Sequence, residues 1–404
     1  MAVGNPEVLR KAVITTDAIT TAGKLNPEQA DKFIDYVFDV TKLKGNARTI
    51  KFRSEQYYID KIGVGARVAV PKVEAKDPGV RRGVSTSRVT LHPQEIMCPF
   101  EISYQMLEQN LEGEALAEKL IRLFSIQFGN DMEELCIQGD QLGRAVLQSE
   151  YIDGGDPTRY VRDNYLKLQD GWLTLARAGH GVDADQANVS NRIFSRLLNA
   201  LPEKFKRNRG QLRFFCSTDL EQNYREKVSA RATGKGDQAL MSEVPLTPYG
   251  IPLIGVPLLP MGPRIVEHVT LTGTTAVPLL YKGITSVVVL PSDLDQTPTL
   301  PYTEGSGNDY NLTTAADGTV SIARDGASTI PSGATVKVTY SALAQIILTH
   351  ESNMIVGLNK DTVRLERDRD IFAGVLQFAL TADLAVEYEE ADAIAFAYNV
   401  GTDV

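Results

Sequence analysis

The strongest constraint on this chain is a stretch that cannot fold on itself. Residues 49–100 set short β-rich pieces at 49–53, 66–70 and 88–91 around a segment at 73–84 rich in Gly, Lys and Arg. A self-contained domain does not run so long with so little apolar mass, whereas a protruding hairpin does. At ~3.3 Å per residue, two arms of about 17 residues each reach about 55 Å. An arm without a core has to lie on something else.

The remaining sequence is ordinary globular material. Its 404 residues are 43% apolar and 23% charged, with a formal charge of −9, which suits two or three domains and excludes wholesale disorder. No apolar run approaches the ~20 residues of a membrane-spanning helix, so no membrane partner is expected. The N-terminus has no apolar stretch followed by a small-residue cleavage site, which points away from secretion. Cys98, Cys136 and Cys216 are scattered and odd in number, as free thiols of a reducing compartment are. The acidic balance argues against tight nucleic-acid binding over the whole surface.

Periodicity places the elements. Asn26, Pro27 and Gln29 open a first helix carrying Phe33, Ile34, Val37 and Phe38. Leu116, Leu120, Leu123, Phe124, Phe128, Met132 and Leu135 mark a long helix over 110–138 that ends at Gly139. Further helices are expected at 164–178, 190–201 and 219–232, the last opened by a Thr218–Glu221 capping box. Six prolines between Val244 and Pro263 predict an irregular region. Residues 264–342 turn β-branched, with strands expected at 266–272, 286–290, 319–323 and 335–340, and an apolar strand resumes at 346–349. Phe378, Leu380, Ala382, Leu384, Val386 and Tyr388 alternate with mostly polar neighbours, the pattern of a half-buried strand. Residues 392–398 are expected to return beside it.

No catalytic constellation is present. His350-Glu351 begins like a zinc-protease motif, but Met354 stands where the second His belongs. Gly234-Lys235-Gly236-Asp237 lacks the rest of a phosphate loop, no nucleophile elbow occurs, and Cys136 falls on the long helix's apolar side. Glu133-Glu134 and Glu389-Glu390 are adjacent and point apart. Neither enzyme activity, nor a metal, nor a cofactor is expected.

Charge is segregated instead. Residues 51–90 hold nine cations, among them Lys61, Arg67, Lys72, Lys76, Arg81 and Arg82, against four anions. Residues 101–140 hold nine anions, among them Glu112, Glu114 and Glu118, against Lys119 and Arg122. Either these are solvated faces, or the basic arm of one copy lies across the acidic helix of another. Arg364, Glu366, Arg367, Asp368 and Arg369 form a mixed-sign strand, read either as a solvated edge or as an interface set in register by ion pairs. The run Lys204, Lys206, Arg207, Arg209, Arg213 could touch nucleic acid, but lacks interleaved aromatics for base stacking.

Taken in order, these pieces resemble the major capsid protein of tailed bacteriophages, the HK97-like fold. The likeness rests on FGNDMEELCIQGD (128–140), YREKVSARATGKGDQALMSEVPLTPYGIPLIGVPLLP (224–260) and LTHESNMIVGLNKDTVRLERDRDIFAGVLQFALTADLAVEYEEADAI (348–394). Residues 309–340 resemble small Ig-like or β-barrel modules inserted into phage structural proteins. The resemblance implies an α+β fold in six parts: N-terminal arm and helix (1–48), extended loop (49–92), peripheral domain with spine helix (93–212), axial domain (213–263), inserted β-module (264–342), and a return through the axial domain to the peripheral sheet (343–404). It implies self-assembly, in the host cytoplasm, into hexamers and pentamers of an icosahedral virion shell around packaged double-stranded DNA contacted non-specifically. Implied partners are a portal protein, a separate scaffolding protein (only about 45 residues precede the extended loop) and in some relatives a decoration protein. The encapsulin shell shares the fold and is the alternative; the chain's length and the inserted module count against it. Some relatives cross-link an extended-loop Lys to an Asn, yet nothing here marks Lys61, Lys72 or Lys76 and Asn359 as such a pair.

Overall fold

The computed structural model describes residues 13–14, 47–52, 56–63, 69, 85–109, 114–151, 154–230, 245–292, 298–359 and 364–402. The first-helix expectation and the hairpin tip lie outside these residues. What is described is a mixed α/β fold with many strands, built on two sheets and an attached all-β unit.

The first sheet has six strands, in the order Val13–Ile14, Gln94–Ser103, Val375–Tyr388, Met354–Asn359, Arg48–Phe52, with Arg364–Asp370 also paired to Val375–Tyr388. The expected alternation holds on the long strand: Phe378, Ala382, Leu384, Val386 and Tyr388 are buried. The 25-residue helix Glu114–Gln138, about 37 Å long at 1.5 Å per residue, lies on that face. Phe100 stacks between Phe124 of the helix (4.2 Å between centroids) and Phe378 of the long strand (5.0 Å). Each such pair contributes about 0.5–1.5 kcal/mol beyond the area it buries.

The helix ends at Gly139 because no side chain fits there. A Cβ on Gly139 would sit 2.3 Å from the Gln169 carbonyl oxygen, and the Gly171 N–H donates to the Gly139 carbonyl at 2.8 Å. This packing also limits the helix expected over 164–178, which is confined to Trp172–Ala176. The Asp163 carboxylate draws the N–H groups of Tyr165 and Leu166 into a turn, and Gly171 is extended at φ −87°, ψ 174°.

The second sheet runs Leu253–Val256, Leu212–Ser217, Ala344–His350, Ala395–Val400, His180–Asp183. Asn191–Ala200 and Thr218–Ser229 pack against it through Phe194, Leu197, Leu220 and Tyr224. Three expectations are corrected here. The cap of Thr218–Ser229 is Ser217, whose Oγ accepts the Leu220 N–H at 3.2 Å; the Thr218 box does not form, and Glu221 is held by Arg225 at 2.6 Å. The proline-rich region contains one strand, Leu253–Val256, parallel to Leu212–Ser217. The last strand, Ala395–Val400, pairs with Ala344–His350 and His180–Asp183, not with Val375–Tyr388. Asn353 redirects the chain: its carbonyl takes the Glu389 N–H and its Oδ1 the Glu390 N–H, and a 3₁₀ turn at Ala391–Ala393 follows.

Between these sheets' strands, Arg264–Leu271, Thr285–Pro291 and Ala334–Ser341 form one three-stranded sheet, and Val277–Lys282, Tyr310–Thr314 and Thr319–Arg324 another. The four strands expected here fall on four of these six, the first running one residue past Leu271. Val277–Lys282 and Tyr310–Thr314 gave too little alternation to be seen beforehand. The two sheets close over their own core of Leu271, Leu279, Val289, Ile322, Val338 and Tyr340. Entry and exit meet, since the Ala342 N–H donates to the Pro263 carbonyl at 2.9 Å.

Lys337 joins this unit to the long helix. Its buried Nζ donates to the carbonyls of Leu142 (2.9 Å) and Gly143 (2.8 Å) just past the helix end. Burial, with Arg162 nearby and Asp140 opposing, pushes its pKa down to about 8. The unfolded chain keeps that proton up to about pH 10.4. Between these values the unfolded state therefore binds more protons, and this group makes stability rise with pH. Lys337→Met is expected to remove that rise and, by leaving carbonyls unpaired, to cost about 1–3 kcal/mol each, read from urea unfolding between pH 7 and 10. Gly139→Ala is expected to cost about 1–3 kcal/mol by overpacking in the same assay.

Candidate assembly surfaces

Tyr57–Gly63 and Ser85–Leu91 pair as an antiparallel hairpin, the base of the arm expected from the sequence. Arg88 bonds Asp60 at 2.6 Å and covers the Tyr58 ring at 4.7 Å. The expected strand at 49–53 is not part of this hairpin. As Arg48–Phe52 it runs parallel to Met354–Asn359 in the first sheet. Phe52 and Leu91 then pack on Ile355 and Ala385, seating the hairpin base on the sheet face opposite the long helix. Lys61 is half-buried there, close enough to the Glu387 carboxyl to oppose the upward pKa shift that burial gives it. Arg67, Lys72, Lys76, Arg81 and Arg82 lie outside the described residues, as does Glu112.

Glu114 and Glu118 fall on the long helix. Further along the same helix the carboxylates are engaged within the chain. Glu133 is 3% exposed, Glu134 pairs with Arg144 at 3.7 Å, and Asp131 accepts from Gln127 at 2.7 Å. Packing has turned Glu133 inward, a choice that periodicity alone does not reveal.

The open acidic surface is on the sheet. Residues opposite one another in an antiparallel ladder share a face. Arg364–Asp370 pairs Leu365 with Leu380, Arg367 with Phe378 and Arg369 with Leu376, all on the helix side. There Arg367 lies over the Phe378 ring at 5.7 Å and Arg369 over Tyr104 at 4.6 Å. Glu366 and Asp368 pair with Ala379 and Gln377 on the other side, while Arg364 stands opposite Thr381. The next strand continues that side with Glu101 opposite Gln377, Pro99 opposite Ala379 and Glu95 opposite Asp383. The charged strand is thus basic on its helix side and acidic on its open side. The alternation of signs along Glu366, Arg367, Asp368, Arg369 carried this signal.

The hairpin that ends this strand is fixed by its turn. The Asp370 carboxylate accepts the N–H groups of Phe372 (2.9 Å) and Ala373 (3.0 Å), and Gly374 adopts φ +68°, where other residues are strained. The tip displays Ile371 at 76% and Phe372 at 104% exposure. Beside it, a groove of about 670 Å³ runs over Pro99, Glu101, Glu366, Asp368, Gln377 and Ala379. Neither tip nor groove was foreseen.

Of the basic run, Lys204 pairs with Glu390 (2.8 Å), Lys206 with Glu203 (3.2 Å) and Arg213 with Glu351 (2.6 Å). Arg207 and Arg209 are exposed. Among the described residues no group of His, Cys, Asp and Glu is arranged to hold a metal ion.

No family model matches the chain. It is 27% identical over 393 residues to the "Putative prophage capsid protein YqbE" of Bacillus subtilis (strain 168), covering 97% of each chain. Among solved structures, the "Satellite phage P4 procapsid including size determination (Sid) protein" overlays with a TM-score of 0.47 at 10% identity, covering 89% of this chain and 87% of that one. "Microbacterium phage Oxtober96" gives 0.46 at 9%, covering 96% and 98%. The end-to-end sequence relationship carries the assignment: this is a phage-type capsid protein that forms a shell. The encapsulin alternative is not favoured.

If the charged face serves contact with other subunits, it should be dispensable for folding. Glu366→Ala with Asp368→Ala is expected to change the subunit's unfolding free energy by less than about 0.5 kcal/mol. Phe100→Ala, which breaks the triple stack, is expected to cost about 3–5 kcal/mol.

Proposed function

We propose that this chain assembles on the HK97-like plan, as hexamers and pentamers of an icosahedral shell around packaged double-stranded DNA, and that its basic arm lies across the acidic sheet face of a neighbouring copy. The observation that carries this reading is the juxtaposition of a coreless basic arm and a sheet face bearing Glu95, Glu101, Glu366 and Asp368. Arg67, Lys72, Lys76, Arg81 and Arg82 are the cations assigned to that contact.

Exposed ion pairs contribute ~0–1 kcal/mol each and are screened beyond ~8 Å at physiological salt. They select partners and register, while buried apolar area repeated around each subunit supplies the cohesion. The acidic overall charge leaves room only for loose, non-specific contact with DNA, for which Arg207 and Arg209 are exposed. A separate scaffolding protein, a portal protein and a decoration protein are the further partners in this reading, with assembly in the host cytoplasm preceding residence in the virion. No catalytic role is proposed.

Replacing residues 64–84 by an Asn-Gly turn leaves the hairpin base on Ile355 and Ala385. The shortened subunit is expected to fold, with an unchanged circular dichroism spectrum, but to form no closed particles in electron micrographs; normal particles would refute the arm's role. Arg81→Glu with Arg82→Glu is expected to lower particle yield more at 50 mM than at 500 mM salt. An equal defect at both would count against charge pairing.

A further inference from the structure

Resting on the proposed contact with packaged DNA, we infer which surface makes it. The outer side of helix Asn191–Ala200, together with the turn 207–211, carries the duplex phosphate backbone and is therefore the side of the subunit that looks into the shell. Between Gln186 and Arg213 the chain holds seven cations against one anion, in a protein of net charge −9. Three of the seven are engaged inside the fold: Lys204 with Glu390 (2.8 Å) and Asp392 (3.9 Å), Lys206 with Glu203 (3.2 Å) and Arg213 with Glu351 (2.6 Å). Those pairs also neutralise the carboxylates beside the turn. Arg192, Arg196, Arg207 and Arg209 remain, all exposed and without an ion pair among the described residues.

The fold brings the four together. The chain runs away along His180–Asp183, turns back where Asn188 meets Gly401, returns along Asn191–Ala200 and re-enters the sheet at Leu212, opposite His350. The helix therefore ends at the edge where the turn 207–211 stands. Ile193, Phe194 and Leu197 bury one side of the helix, which leaves Arg192 and Arg196, one turn apart, on the outer side. Residues 207–211 are exposed throughout. Their turn is held by the His350 ring at the Phe205 carbonyl (3.0 Å) and by Arg213, which donates to the Gly210 carbonyl (2.6 Å). This is the sheet face away from the long helix: Phe194 and Leu197 pack with Phe214 and Leu348, whereas Phe215 and Ile347 turn toward Leu135 and Trp172.

The make-up of the surface selects a duplex over a protein. The centre of a protein interface is apolar and poor in charge, yet none of the exposed large apolar side chains among the described residues falls between 191 and 211. Phosphate oxygens need only donors, which the arginine forks and the exposed amides of Asn199, Asn208 and Gln211 supply. Single strands are gripped by stacking on aromatic rings. Here the rings are withdrawn, Phe194 against Phe214 and Phe205 beneath Lys204 at 4.4 Å. With the arm's cations assigned to a neighbouring copy, this is the basic surface left for the duplex. In a closed shell the DNA lies on one side only, so the face that meets it points inward.

Binding of free, full-length subunits to a random-sequence DNA duplex, followed by fluorescence anisotropy at 50 and 200 mM salt, tests the surface. Arg192→Gln, Arg196→Gln, Arg207→Gln and Arg209→Gln together are expected to leave the circular dichroism spectrum unchanged and to weaken binding at least ten-fold at 50 mM salt. The log–log salt dependence is expected to flatten by about 0.9 for each arginine removed. Should the fourfold variant misfold, Arg207→Gln with Arg209→Gln is expected to give half that flattening. Unchanged binding by a folded variant, or no binding by the unaltered chain, would overturn the inference. So would poly-glutamate held as tightly as the duplex, which would point to an acidic protein. The inward placement is read in particles carrying Asn208→Cys, with the unaltered chain and its three cysteines as the baseline. A bulky maleimide polymer is expected to label the added thiol only after the particles are disrupted, and labelling of intact particles would sink the placement. Failure of the unaltered chain to form particles would count against the shell reading alone, because the duplex measurement uses free subunits.

Discussion

One strand sets the terms for the rest of the molecule. Val375–Tyr388 is long enough, at ~47 Å, to take two different partners along one edge. Arg364–Asp370 occupies its first half and Met354–Asn359 its last five residues, while Gln94–Ser103 lines the opposite edge. Coverage of its faces changes along the same length. The long helix covers one face, and the hairpin base reaches the other only near Ala385. Among the described residues no element packs on that second face around Gln377 and Ala379, where Glu101, Glu366 and Asp368 gather. An antiparallel sheet tolerates one uncovered face, but a strand edge left unpaired beside it invites company.

What could be read beforehand was what local periodicity encodes. The helix at 114–138 and the alternation from Phe378 to Tyr388 each follow from one face being buried. The destination of residues 395–400 did not follow, because it is a long-range choice. Ala395, Phe396 and Ala397 are all buried, the continuous apolar run of a central strand covered on both faces. Taken as a sign of burial on both sides, that run would have separated it from the half-buried strand before it. The helix expected over 164–178 was cut short by contacts that propensity does not see, chiefly the approach of Gly139 and Gly171.

The assembly surfaces were half legible. The mixed-sign strand was recognised, but its division into a basic and an acidic face needed the register against Phe378 and Gln377. The long helix reads as acidic on composition, and at Glu133 packing adds what composition does not show. Glu133 is buried, whereas Glu101, Glu366 and Asp368 come together on the sheet from strands far apart in sequence. Net charge along a segment says how much charge there is. Only the fold says on which side it stands.

This two-sided charge is also an argument about why the edge strand carries so little apolar residue. An edge of ordinary β-branched residues beside an open face would pair indiscriminately, with its own copy or with any exposed strand. Six of its seven positions, all but Leu365, are charged, and that removes the hazard. Each pair is weak and screened, so no single one holds a shell together. Their worth lies in the difference between a correct and an incorrect neighbour, which is multiplied over every contact of a closed assembly. Weak contacts of this kind can be broken and remade until the register is right, and a particle of many identical subunits needs that freedom while it closes.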